Sequence, residues 1–270
     1  MPELSINEVT TFRWTFDEDV THYRAAGISA IGVWRQKISD FGEEEAVDLL
    51  AESGLNVSNL LWAGGFTGSC GRTYRDSLED GLDAIRMAAA LACPTLVVYS
   101  GARGGHTSNH ARRLFRDALE ELVAFADDFS VTLAVEPMHP GCATDWTFLT
   151  DLDAACDLLE AVNHPRAKLV FDAYHFGLDV AADRLTELAP HIAVVHLGDA
   201  QGPPSGEQNR VPLGEGAVPL KQIAEALAAG GYDGYYDVEL IGENIEQRDY
   251  HELLTTSRQA FEQLVSVHST

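Results

Sequence analysis

A sustained alternation of short β-branched runs with amphipathic stretches is the feature that most restricts what this chain can fold into. Strands are expected at residues 9–14, 30–34, 57–62, 95–100, 132–136, 168–172, 193–197 and 235–240. Several of these are continuously apolar (Leu96 to Tyr99, Leu169 to Phe171), as parallel strands covered on both faces should be. Helical periodicity fills the gaps. Residues 43–53 place Ala46, Val47, Leu49 and Leu50 on one side and stop at Gly54, a natural C-terminal cap. In 109–128, Leu114, Ala118, Leu122 and Phe125 recur at helical spacing. Further helices are expected at 17–26, 76–91, 149–162, 179–188, 219–229 and 249–267. Eight strand–helix units without a linker predict an α/β fold, a single (β/α)8 TIM barrel that takes up residues 1–270 as one domain. The stretch 201–216, rich in Gly, Pro and Ser, falls between the seventh strand and its helix and reads as an extended active-site loop.

Charge narrows the partners. With 18 basic against 42 acidic residues, the formal net charge is -24. Such a field repels nucleic-acid phosphates and anionic membranes and draws divalent cations toward acidic clefts. Residues 1–10 carry neither the basic nor the apolar segment of a secretory signal, and no apolar run is long enough to span a bilayer. Cys70, Cys93, Cys142 and Cys156 show no C-x-x-C spacing. A reducing, cytoplasmic setting is the expectation, with self-association left open.

In a βα barrel, chemistry sits at the carboxyl ends of the strands. The last four strands end at Glu136, Asp172, His196 and Glu239. Closing the barrel gathers three carboxylates and an imidazole on one side of the mouth. Carboxylates packed this way repel one another unless a cation lies between them. The donor set suits one divalent ion, Mn²⁺, Mg²⁺, Co²⁺ or Zn²⁺, with positions left for substrate oxygens. Of the loop residues, His106 follows the fourth strand after Gly104-Gly105 and is a candidate substrate contact; His139 and Asp145 follow the fifth. Trp14, Trp34 and Trp62, near the ends of the first three strands, are candidates for an apolar wall.

The pairs Glu136-Pro137 and Val238-Glu239, with Asp172-x-x-His175 and His196-Leu197-Gly198-Asp199, in this order, resemble the xylose-isomerase-like superfamily of sugar isomerases and epimerases. The resemblance covers essentially the whole chain. It implies that Glu136, Asp172, His196 and Glu239 are the metal ligands and that Glu136 and Glu239 also exchange protons with substrate. It further implies that His175 binds a substrate oxygen and that Arg210 is a substrate-binding arginine. One position departs: where ketose 3-epimerases carry a further glutamate, this chain has Cys142. The expected function is a divalent-metal-dependent isomerase or epimerase of a small sugar or keto-sugar, working through proton abstraction beside a carbonyl and a metal-stabilised enediolate. The alternatives are a metal-dependent dehydratase of a keto-polyol or cyclic keto acid and a non-catalytic binding barrel. The superfamily's DNA-repair endonucleases need a basic surface, which the net charge of -24 denies.

Overall fold

The computed structural model describes residues 2–69, 71–206 and 208–266. Eight parallel strands close into a barrel in sequence order: β1 Glu3–Asn7, β2 Ala30–Trp34, β3 Asn56–Gly64, β4 Thr95–Tyr99, β5 Thr132–Val135, β6 Ala167–Asp172, β7 Ile192–Leu197 and β8 Tyr235–Val238. The ring shuts through β1 on β8, with Ser5 opposite Asp237 and Ile6 opposite Val238. Around it lie α1 Phe16–Ala25, α2 Arg35–Phe41, α3 Glu43–Ser53, α4 Tyr74–Ala90, α5 Ser108–Asp128, α6 Leu152–Val162, α7 Ala173–Phe176, α8 Ala182–Leu188, α9 Leu220–Ala229, α10 Glu243–Glu246 and α11 Tyr250–Val265. Among the described residues, no helix is long and apolar enough to cross a membrane. Cys93, Cys142 and Cys156 are free thiols; Cys70 and Val267, the end of the last expected helix, lie outside the described residues.

The first strand lies earlier than its pattern suggests. Residues 9–14 are not a strand but the turn that follows one. Within β1, Ser5 and Asn7 alternate with Leu4 and Ile6, which breaks the apolar run expected of a parallel strand. Their side chains find buried polar partners. Ser5 bonds Ser58 at 2.6 Å, and Asn7 donates to Asp237 at 2.7 Å. Asn59 donates to the same Asp237 oxygen at 2.7 Å. Gly32 is required beside this knot, because a Cβ there would stand 2.3 Å from Asp237 Oδ2. The turn at residues 9–14 serves to pin the end of β8. There, Thr10 Oγ1 donates to the Val238 carbonyl at 2.9 Å and accepts from Leu240 N at 3.0 Å.

The other half of the lumen is apolar, filled by Leu61, Val97, Tyr99, Ala134, Val170 and Val194. A larger core lies between barrel and helices. Burial of this area from water is the main favourable term in folding. One charged group sits among the α1 and α2 contacts. Lys37 Nζ reaches Asp19 at 2.5 Å and the carbonyls of Glu8 and Thr11 at 3.1 Å each.

Candidate metal centre

Register explains why the four strand-end residues meet. Asp172 on β6 pairs with His196 on β7, and His196 pairs with Asp237 on β8. Side chains at paired positions share a level and a face, and alternation returns Glu239 to the face of Asp237 one level higher. Glu136 follows the last residue of β5. One ligand atom from each of Glu136, Asp172, His196 and Glu239 lies within 4.8 Å of the others, and all four residues are buried.

The Asp-x-x-His spacing has a local cause. Asp172 caps α7, its Oδ1 accepting from Tyr174 N at 2.6 Å. That single turn brings His175 back over the cap, with Nε2 3.7 Å from Asp172 Oδ2. The other face of the ring meets Cys142, whose Sγ is 3.3 Å from His175 Nδ1. Burial holds His175 down at about 4, so the ring is neutral at physiological pH.

Arg210 is fully buried rather than solvated. Its guanidinium joins Asp172 Oδ2 and Glu239 Oε1, each at 2.9 Å, and also donates to the Glu239 carbonyl at 2.6 Å. It lies over the Tyr174 ring, 4.8 Å from the centroid. Asp199 of the His-x-Gly-Asp motif sets the loop that carries this arginine. Its carboxylate accepts from the backbone N–H groups of Ala200, Gly214, Gly216 and Val218 at 2.8–3.1 Å. Nothing in the spacing of the motif signals that anchoring role.

The electrostatics are those of a charge-dense, dry site. Burial opposes ionisation of Glu239, but Arg210 and His196 outweigh it and hold the carboxyl far below the usual range. Burial raises Glu136, only partly offset by His196. Burial would lower His196, yet the adjacent Glu239 and Glu136 carboxylates raise it well above its ordinary value. His196 Nδ1 lies 2.7 Å from Glu239 Oε2 and 3.4 Å from Glu136 Oε1. Even so, both nitrogens of His196, Glu136 Oε2 and Glu239 Oε2 make no hydrogen bond. Buried polar atoms left this way are expensive unless something satisfies them. A cation does so, and the residues fit one. The donors are oxygens and an imidazole nitrogen, and a separation within 4.8 Å is close to the roughly 4.2–4.8 Å spanned by two metal–ligand bonds of ~2.1–2.4 Å laid end to end. Three carboxylates less the Arg210 guanidinium leave two negative charges, which one divalent ion cancels.

Other expected residues fall elsewhere. His106 bonds the Thr67 carbonyl at 3.0 Å and packs on His110. His139 Nδ1 accepts from Gly141 N within its own turn. Trp14 packs against His22, Tyr250 and His251 in the outer layer, away from the strand ends. Trp34, Trp62 and Asp145 line a cavity of 560 Å³ at the ends of β2, β3 and β4, together with Tyr99 and Trp146. Tyr99 joins this cavity to the cluster: its phenol is raised by burial and then by Glu136 and Glu239. Tyr99 and Trp146 carried no motif by which the sequence could mark them.

A family model for the xylose isomerase-like TIM barrel matches residues 20–264. The chain belongs to that family. It is 32% identical over 142 residues to L-ribulose-5-phosphate 3-epimerase UlaE of Escherichia coli, a match covering 52% of this chain and 46% of that protein. It is 30% identical over 161 residues to inosose isomerase of Halalkalibacterium halodurans, covering 57% and 55%. The matched region thus spans about half the length of these curated relatives. In three dimensions it is similar to protein SMc04130 of Sinorhizobium meliloti, with a TM-score of 0.88, 28% identity, and 97% and 98% of the two chains covered. The two curated relatives are named as an epimerase and an isomerase, and this chain carries a buried cluster suited to a metal.

Proposed function

We propose that the protein is a divalent-metal-dependent isomerase or epimerase of a small keto-sugar. The observation that carries this reading is the convergence of Glu136, Asp172, His196 and Glu239 within 4.8 Å, buried and with donor atoms left unbonded. The names of the two curated relatives support the reaction class.

Glu136, Asp172, His196 and Glu239 would hold the ion. When bound, it supplies Lewis-acid polarisation of a substrate carbonyl and an adjacent hydroxyl. The chain's own residues do the rest. Glu136 is the proton acceptor, since its Oε2 is unbonded and burial makes it a stronger base than an exposed carboxylate. Glu239 is the second proton-transfer group; ionised beside Arg210, it takes up a proton from a substrate hydroxyl or from solvent before delivering one through its unbonded Oε2. Proton return to the opposite face of the same carbon is epimerisation; return to the neighbouring carbon is isomerisation. Neutral His175 presents Nε2, which is buried and unbonded, to a substrate oxygen. Arg210 keeps Glu239 ionised and orients both Asp172 and Glu239. His106, held by Thr67, lies on the loop after β4, where it would meet substrate only at the rim.

Deuterium uptake from solvent into a panel of ketoses, followed by NMR with Mn²⁺-loaded protein, tests this. Wild-type protein should exchange a carbon-bound hydrogen beside the carbonyl. Glu136→Gln and Glu239→Gln should each slow exchange by about 10²–10⁴-fold, the usual worth of a positioned general acid or base. Exchange unchanged in both variants would refute the assignment.

A further inference from the structure

The 560 Å³ cavity has none of the four cluster residues in its lining. Tyr99, in its wall, stands beside Glu136 on the neighbouring strand, where the Val98 carbonyl accepts from Glu136 N at 3.2 Å, so a ligand that extends from the cluster past Tyr99 enters this space. A volume of this size is within the ~300–1,000 Å³ that encloses ligands well beyond a single sugar unit. Its walls are aromatic. Trp62 and Trp146 meet edge to face with centroids 5.0 Å apart, and Tyr99 stands 5.7 Å from Trp62 and 5.8 Å from Trp146. Trp146 keeps 36% of its surface exposed, a large apolar area left beside the mouth of the barrel.

The charges in the lining are already spent on one another. Arg35 forks onto both Asp80 oxygens at 3.0 and 3.1 Å, and Arg72 reaches Asp80 at 3.1 Å. Glu43 and Asp145 also line the space, so two guanidinium groups face three carboxylates. An anionic end group would have to displace Asp80 from Arg35 and then sit beside the other two acids. Gln36 and Ser39 add neutral hydrogen-bonding groups to the wall. Aromatic faces with neutral polar edges suit a ring that has C–H faces and a hydroxyl rim.

We propose that this cavity binds a second, uncharged sugar ring, so that the keto-sugar offered to the cluster is the end unit of a glycoside. The proposal rests on the isomerase or epimerase reading above for what happens at the cluster, and on the cavity alone for what is held beside it. Three of the chain's four tryptophans, Trp34, Trp62 and Trp146, line the space, so intrinsic fluorescence reports its occupancy. The probes are fructose, the glucosyl-fructose isomaltulose, and fructose 6-phosphate, titrated into Mn²⁺-loaded full-length protein.

Isomaltulose should bind about tenfold more tightly than fructose, the worth of one or two ring contacts, and fructose 6-phosphate no more tightly than fructose. Trp146→Ala should erase the isomaltulose advantage; its half-exposed position spares the core, and Trp62→Phe, which keeps a ring, should preserve most of it. Equal affinity for fructose and isomaltulose, or a preference for the phosphate, overturns the proposal. Deuterium exchange into the same sugars separates the two readings. If fructose exchanges but the glucosyl ring confers no advantage, the cavity assignment fails and the catalytic one stands. If no sugar exchanges while the fluorescence advantage holds, the reverse is true.

Discussion

Adding a divalent ion to the ion-free protein should expel protons, and the number follows from the charge count at the cluster. Glu136, Asp172 and Glu239 against Arg210 leave two negative charges in a site sealed from water. Without an ion, protons supply the balance. His196 is raised well above its usual value, because Glu239 and Glu136 outweigh the effect of burial; Glu136 is raised chiefly by burial itself. Glu239 stays ionised against Arg210. Two protons therefore neutralise what one ion neutralises. Binding should release up to two protons, fewer once rising pH has already removed the one on the raised Glu136. Each released proton makes apparent affinity rise about tenfold per pH unit, or ~1.4 kcal/mol. Over the pH range in which the ion-free cluster still holds one or two protons, Mn²⁺ affinity should therefore rise about 10- to 100-fold per unit. Calorimetric titration at one pH in buffers of different ionisation heat gives the proton count directly, and Glu136→Gln should lower it by up to one. Release of less than half a proton at pH 6, or affinity flat between pH 6 and 8, would refute the charge-balance argument.

Two further outcomes test the framework that supports the cluster. Lys37→Ala removes the only cation bonded to buried Asp19 among the described residues, beside Glu8, and should cost about 3–5 kcal/mol by urea unfolding at pH 8. Asp19 is already raised to about 6, by burial first and in spite of Lys37. A carboxyl raised in the folded state favours folding while protonated and loses that benefit as pH climbs through its folded value. The penalty should accordingly be smaller at pH 5; an equal penalty at both would sink the reasoning. Asp199→Ala leaves four backbone N–H groups without their acceptor and should destabilise the protein by about 2–4 kcal/mol. Hydrogen exchange at Gly214, Gly216 and Val218 should accelerate selectively, and unchanged protection there would show that the carboxylate does not hold the loop.

Strands β2 to β8 are readable because their runs are apolar and β-branched, and both faces of such strands are covered. The signal fails for β1, where Ser5 and Asn7 face the lumen and satisfy one another's neighbours instead of packing. Helix α2 also leaves no periodic trace, since Arg35–Phe41 begins directly after a strand and buries only Lys37 and Ile38. The cluster is legible as four strand ends. What the spacing does not convey is the counter-charge, because Arg210 comes from a long loop whose path is set by Asp199. The cavity is half legible through Trp34 and Trp62. Tyr99 and Trp146 become neighbours only after the barrel closes, and Trp14, judged by the same rule, turns outward once the first strand is placed earlier.

The ring of strands divides its labour by chain order. Glu136, Asp172, His196 and Glu239 lie in the second half of the sequence, whereas most of the cavity wall, including Trp34, Arg35, Trp62, Arg72, Asp80 and Tyr99, precedes residue 100, with Asp145 and Trp146 the later additions. Substitutions in the early units can reshape what docks beside the reacting carbon without disturbing the ionic balance at the later strand tips. New specificities on this scaffold are therefore best sought by diversifying the cavity wall in the first hundred residues, together with Trp146, while the four strand tips are held constant.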